Sequence, residues 1–291
     1  MHDFTVGYLR CLNCRSPLCP RPLAEGAELE EGFLDCTGCR SRYPVISKIP
    51  IMVSDLPSYF AIRASLGGDL MLKSRTAAMR GFVRQALSKI RHPSDDTTRL
   101  ETKWVGIYQR SKRSGLYTRV ESLLARLGPT AVVLEHGCSI GRVAHSAARR
   151  AATVLGIDKS FYALAEAKRG RAGNCDFVVA DSLDHPFGAQ KFDAVLALNL
   201  LDIVEPQKLL RIMSSQTRDM LVLSDPYDYD RGKNSVRNQM GPDEIRAALA
   251  RRGFRLVGGT SRQSYLGWNL RANPRLGLHY RVDLVAARKR H

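Results

Sequence analysis

The sequence has no long hydrophobic run. Its longest, AVLALNLL over residues 194–201, falls far short of the ~20 apolar residues that a membrane helix needs, so no membrane partner is expected. The opening residues, MHDFTVGYLRCLNC, hold neither an apolar core nor a small-residue cleavage site, so no secretion signal is expected and the cytoplasm is the expected compartment. Acid is in short supply: 28 Asp and Glu stand against 45 Lys and Arg, for a net charge of +17. The deficit is uneven, because residues 1–57 carry 6 basic and 7 acidic side chains while residues 58–127 carry 14 and 5. Such a surplus fits a polyanion-binding surface, RNA included. It also fits a merely arginine-rich composition, since 34 of the basic residues are Arg and they form no long runs.

What is present starts with cysteine. In a reducing compartment seven cysteines point to metal ligands or core residues before disulfides. Cys11 and Cys14 form one Cys-x-x-Cys pair and Cys36 and Cys39 another, with 21 residues between the pairs. Each two-residue gap lets both thiolates reach one ion, and two such knuckles close a tetrahedron around zinc with no open position, so a structural metal is expected. Cys19, near two prolines, reads as a loop residue. The following RYPVISKIPIMV reads as a strand, a turn and a short strand. Over residues 8–54 this pattern resembles the small zinc-binding partner proteins that activate tRNA, rRNA and protein methyltransferases, with SKIP standing where those relatives usually carry an Asp-Gly turn. Under 60 residues such a module buries little by itself, so metal and docking are expected to stabilise it.

Residues 58–127 read as helical. Phe82, Val83, Ala86, Leu87 and Ile90 recur at helix spacing with Arg80, Arg84, Lys89 and Arg91 between them. HPSDDTT over 92–98 reads as a loop, a second helix is expected through Trp104 and Tyr108, and a third through Val120, Leu123, Leu124 and Leu127. The expected organisation is a zinc-binding domain at 1–57, a helical cap at 58–127 and a ligand-binding domain at 128–291.

From residue 131 strands and helices alternate, which predicts a parallel sheet with helices on both faces and a ligand at the carboxyl ends of its strands. The first turn is VVLEHGCSIGR. It lacks the Gly-Lys-Ser/Thr ending of a phosphate loop and two of the three glycines of a dinucleotide fingerprint. Glu135 would also repel a pyrophosphate. An acid there suits a cation instead, and S-adenosylmethionine carries a sulfonium and an ammonium but no phosphate. The run resembles the first motif of class I methyltransferases through Glu135, Gly137 and Gly141, with Ser139 replacing the middle glycine. The resemblance implies that Asp158 accepts the ribose hydroxyls, that Asp181 and Ser182 meet the adenine, and that Asn199 faces the methyl donor. Residues 131–290 are further similar to the C-terminal, histidine-derivative N-methylating domain of ovothiol synthases. The implied fold is α/β: a Rossmann-like class I methyltransferase sheet with a helical cap and an N-terminal zinc-ribbon-like domain.

Methyl transfer from a sulfonium is an in-line displacement in which the protein aligns nucleophile, carbon and sulfur and excludes water. Asp202, Tyr227 and Tyr108 are the candidates for orienting the nucleophile, and Trp268 and Arg271 for contacting the substrate. His136 and Cys138 are read as loop packing, His145 as a helix residue and Cys175 as core. A small-molecule methyl acceptor is the leading expectation. RNA is the alternative, although NLLDIV lacks the Asn/Asp-Pro-Pro-Tyr/Phe motif used on base nitrogens. A non-catalytic binding scaffold is the third.

Overall fold

The computed structural model describes every residue except 25, 92–95, 112–113, 171, 234 and 291. The first half of the loop expected over 92–98 thus lies outside the described residues. The chain divides into two compact units, Met1–Val105 with Asp158–Gly188 and Gly106–Ile157 with Ala189–His291.

In the first unit a short helix, Asp3–Tyr8, precedes an antiparallel meander of Leu18–Ala24, Glu31–Cys36, Arg42–Ile46 and Ile49–Met52. The turn before the last strand has Ser47 at φ 52° and Lys48 at φ 68°. Two successive left-handed residues belong to the hairpin turn that favours Asn-Gly or Asp-Gly. The chain holds this conformation with Ser-Lys, and Lys48 is tied down by its N–H to the Glu30 carbonyl (2.9 Å) and its Nζ to Glu28 (2.9 Å). Ile49–Met52 then pairs in parallel with Cys175–Ala180, Ile51 opposite Val179 and Met52 opposite Ala180. Both strands are buried along their whole length, which their unalternating apolar sequence requires. One strand therefore closes the Cys-rich meander and extends the sheet beside it.

Three helices follow in this unit: Leu56–Ala61, capped by Asp55, then Ala64–Lys73 and Ala77–Leu87. On the third, Val83 and Ala86 of the stripe read from the sequence are buried together with Met79, which that stripe did not include, while Phe82 and Leu87 are half-buried, Arg84 is exposed and Ile90 lies beyond the helix. Buried Glu31 accepts the amides of Arg75 (2.6 Å) and Thr76 (2.9 Å) just ahead of that helix, where unsatisfied N–H groups and the helix dipole favour a carboxylate. Buried Asp176 takes hydrogen bonds from the His2 N–H (2.8 Å) and the Thr5 hydroxyl (2.5 Å) and pairs with Lys168 (2.5 Å).

In the second unit residues 153–157 of the strand Thr153–Asp158, then Val132–His136, Phe192–Leu198 and Thr217–Asp225, lie side by side in parallel. Leu276–Lys289 adds antiparallel to Thr217–Asp225, and Phe254–Leu256 lies antiparallel to it in turn. The parallel sheet expected from the alternation thus stops at four strands here. The reason is local: the chain reaches its last strand through the hairpin Leu266–Asn273/Leu276–Lys289, and only a crossover of a dozen or more residues, usually a helix, would have kept it parallel. Ala194 to Ala197 are wholly buried, as are Leu134 and Leu221.

Beside this hairpin lies a buried ion pair. Arg246, on the helix Pro242–Arg251, meets Asp283 with two hydrogen bonds of 2.7 and 3.0 Å, and Asp283 also accepts the Ser264 N–H (2.8 Å). Burial opposes its charge, yet these donors hold the Asp283 carboxyl below the usual carboxylate range. Removing one partner leaves an uncompensated buried charge. Arg246→Met is expected to lower the urea-unfolding free energy by about 3 kcal/mol, with Arg246→Lys, which keeps the charge and loses the fork, between it and wild type.

Candidate active site

In the second unit the Val132–His136 strand runs into a turn with left-handed backbone at Gly137 (φ 64°), Ser139 (φ 49°) and Gly141 (φ 71°). That region admits glycine freely and other residues at a cost, so both glycines are needed by the path of the chain. A Cβ at Gly137 would also lie 3.0 Å from the Leu200 side chain. The turn is closed by hydrogen bonds from the Gly141 N–H to the Cys138 carbonyl (2.9 Å) and from the Cys138 N–H to the Ile157 carbonyl (3.0 Å). Gly141 then caps the helix Arg142–Ala148.

The turn forms one wall of a cleft. Tyr108, Glu135, Gly137, Ser139, Asn199 and Trp268, all expected from the sequence, line it together. Tyr117 and Arg142 line it too and were missed, although Arg142 directly follows the glycine turn. The Arg142 guanidinium donates to the carbonyls of Tyr108 (2.9 Å) and Ser111 and lies 5.2 Å from the Tyr117 ring centre. Its charge is committed to the chain's own acceptors. Trp268 stacks on Tyr108 at 6.5 Å and donates its indole N–H to the Tyr117 hydroxyl (3.3 Å). Glu135 is only 4% exposed. Asn199, left-handed at φ 55°, is fixed by Ser224 through its N–H (2.7 Å) and side-chain oxygen (2.9 Å). A buried acid, aromatic walls and a cation turned to carbonyls fit a positively charged ligand and oppose a diphosphate.

Asp158, Asp181 and Ser182 belong to the first unit. Asp158 accepts the Ser160 N–H (2.8 Å), and Asp181 accepts the Leu183 N–H (2.8 Å) and pairs with Lys159 (2.8 Å). Lys159 adjoins Asp158 in the chain, so it brings the two strand-terminal acids to one edge. Tyr59 donates its hydroxyl to the Lys159 carbonyl (2.8 Å) and Ser182 is buried beside Asp181.

The same unit gathers Cys11, Cys14, Cys36 and Cys39, whose sulfurs all lie within 4.8 Å of one another. Cys19 is exposed and takes no part in this group. Burial raises the Cys36 thiol pKa, while at Cys11 the Tyr43 hydroxyl and the amides of Cys14 and Asn13 overcome burial and lower it.

The remaining predicted residues sit elsewhere in the second unit. Asp202 is fully buried and pairs through Oδ2 with Arg231 (2.8 Å), and its N–H donates to Asp225 (3.1 Å). Burial raises the Asp202 carboxyl and, with the neighbouring Asp202 charge, raises Asp225 further. The Tyr227 hydroxyl donates to Asp283 (3.0 Å), and burial together with that carboxylate pushes it up. Arg271 is exposed in a separate groove with Arg110 and Asn269, and the structure does not bring it to the cleft of Trp268. His136 packs on Gln216 (2.8 Å) in the interior and His145 lies on the following helix. Cys138 is buried at the cleft and Cys175 in its strand.

Residues 133–219 match the family described as a methyltransferase domain. Cycloartenol-C-24-methyltransferase 1 of Oryza sativa subsp. japonica is 34% identical over 104 residues, which are 33% of this chain and 29% of the rice protein. The chain thus spans under a third of that relative's length. Among solved structures, magnesium protoporphyrin IX methyltransferase of Synechocystis with bound SAH is 19% identical, covering 65% of this chain and 94% of that one at a TM-score of 0.48. A chain from a complex containing the Haloferax volcanii Trm112 methyltransferase activator is 13% identical, covering 67% and 96% at a TM-score of 0.50. The fold is the mixed α/β, Rossmann-like fold of class I methyltransferases, preceded by a Cys-rich N-terminal region able to bind metal.

Proposed function

We propose that the chain is an S-adenosylmethionine-dependent methyltransferase acting on a small molecule of a biosynthetic pathway. One observation carries the reading: within the residues that match a methyltransferase domain, the left-handed glycine turn opens a cleft walled by Glu135 whose cation, Arg142, is already bound to carbonyls. Glu135, Gly137, Ser139, Gly141 and Asn199 are assigned to the charged end of the donor. Asp158 is assigned to the ribose, and Asp181 and Ser182 to the adenine. When bound, S-adenosylmethionine supplies an electrophilic methyl group. The cleft's aromatic residues, Tyr108 and Trp268, exclude water from it and orient the acceptor.

Residues 1–57 are assigned as the metal-binding domain, 58–127 as the helical cap and 128–291 as the donor-binding domain. The metal is assigned as structural zinc. Four thiolates at about 2.3 Å from one zinc ion stand about 3.8 Å apart, and the sulfurs of Cys11 and Cys39 are 3.7 Å apart and those of Cys14 and Cys36 3.3 Å. The resemblance of residues 8–54 to zinc-binding activators supports reading this module as a built-in partner of the catalytic domain. The resemblance of residues 131–290 to the ovothiol-synthase domain supports a small acceptor. Among the described residues no helix is long and apolar enough to cross a membrane, and the setting is assigned as cytoplasmic.

A groove lined by Arg255, Arg288, Lys289, Arg290 and Asp219 favours the second reading, methylation of RNA. Tritium transferred from the donor into small-molecule extract, and not into total RNA, is the expected result; label confined to RNA overturns the leading reading. A calorimetric titration with S-adenosylhomocysteine that gives no heat would leave the non-catalytic scaffold.

Two further outcomes are expected. Glu135→Gln, which keeps shape and removes charge, should weaken S-adenosylmethionine binding about tenfold, a loss of about 1.4 kcal/mol, by calorimetry. Elemental analysis should find one zinc per chain, and Cys36→Ser should lower the metal content and destabilise the protein to urea by several kcal/mol, because metal binding and folding of such a module are one free energy.

A further inference from the structure

Behind Trp268 lies a second polar site. Trp268 borders the cleft on one side, and the Arg231 guanidinium lies 5.4 Å from its ring centre and 5.8 Å from that of Tyr280. Among the described residues the Arg231 side chain donates a single hydrogen bond, to Asp202 Oδ2. The other oxygen, Asp202 Oδ1, is buried and meets no donor among the described residues. Asp225 stands next to it, accepting the N–H groups of Asp202 and Tyr227. Two carboxyls thus face one guanidinium, and a buried carboxylate oxygen without a donor is costly. Both carboxyls are raised by burial, Asp225 by the Asp202 charge as well, as expected where two carboxyls share a single guanidinium.

The turn that brings Arg231 here, Tyr229–Gly232, is docked closely: a Cβ on Gly232 would collide with the Asp202 carbonyl and the Ile203 backbone. Yet the Arg231 side chain stays 18% exposed and, among the described residues, has no second hydrogen-bond partner, so it can give way. An acid flanked by aromatic faces, filled by the chain's own planar cation and still short of a donor, is suited to a cation from outside.

We propose that Asp202, Asp225, Trp268 and Tyr280 form the seat for a cationic nitrogen head group of the methyl acceptor, an organic ammonium, with Arg231 filling that seat while no acceptor is bound. This rests on the methyltransferase reading, since it names the class of acceptor for a site that shares Trp268 with that cleft. An entering ammonium donates an N–H to Asp202 Oδ1, lies against the rings that Arg231 leaves, and takes over the positive charge that Arg231 withdraws. Arg231 competes with it intramolecularly, which lowers the apparent affinity by the fraction of time the seat is self-filled.

The test is calorimetry on the full chain saturated with S-adenosylhomocysteine, using benzylammonium, benzyl alcohol and benzoate as probes of one shape and three charges. Wild type is expected to bind benzylammonium at least tenfold tighter than either other probe. Arg231→Ala should tighten benzylammonium several-fold, while Asp202→Asn and, should that variant not fold, Tyr280→Leu should erase the preference. A preference for benzoate that disappears in Arg231→Ala overturns the proposal, because Arg231 is then an anion clamp. So does equal binding of the three probes, or an Arg231→Ala variant that binds benzylammonium no better. Failure of the donor reading is separate: wild type then gives no heat with S-adenosylhomocysteine itself, before any probe is added.

Discussion

Every carboxylate that this chain buries has to be met by a donor, and much of the structure can be read as the way each is met. Glu31 is met by the amides ahead of a helix, Asp176 by an N–H, a hydroxyl and Lys168, and Asp283 by the fork of Arg246. In each case several strong donors converge, which is the condition for burying a charge without net loss. At Asp202 one oxygen is paired with Arg231 and the other has no donor among the described residues, and Glu101, whose Oε1 meets Arg63 while its Oε2 is buried without a donor, shows the same half-met state.

The same bookkeeping of charge separates the ligands that a glycine turn can hold. A diphosphate needs N–H groups or cations facing it. Here the nearest guanidinium, Arg142, donates into carbonyls of its own unit, and an acid stands at the wall instead. The electrostatics of the cleft, more than its glycines, set its preference, and they do so before any substrate contact is considered.

Those glycines were legible because the periodicity and the turn residues are local. An apolar strand, an acid, and glycines where the backbone must go left-handed can be read from eleven consecutive residues, and so can two Cys-x-x-Cys pairs. Val83 and Ala86, the buried part of the stripe read over 82–90, were equally visible, whereas Met79 beside them was not singled out. The antiparallel last strand was not, since its direction is decided by the hairpin that leads directly into it. Arg231 stayed hidden for the same reason: its meaning comes from Asp202, Trp268 and Tyr280, which lie up to 49 residues away in sequence. Tyr227 and Arg271 show the converse. Their place near suggestive motifs was plain, but the structure ties the first to Asp283 and turns the second to another groove.

The Cys-rich module gains a reason for its position from the strand pairing within its own unit. Cys175–Ala180 is an apolar strand, and an exposed apolar edge invites pairing with other chains. Ile49–Met52 covers that edge, and the turn of Ser47 and Lys48 that delivers it is an unfavourable one for those residues. Something must hold the meander in register while the turn stays strained, and a module this small has little core with which to do it. The sulfurs of Cys11 and Cys14, ahead of the first strand, and of Cys36 and Cys39, between the second and third, lie within 4.8 Å of one another and are placed to supply that constraint through one ion. A metal held there would fix the meander and with it the strand that pairs with Cys175–Ala180.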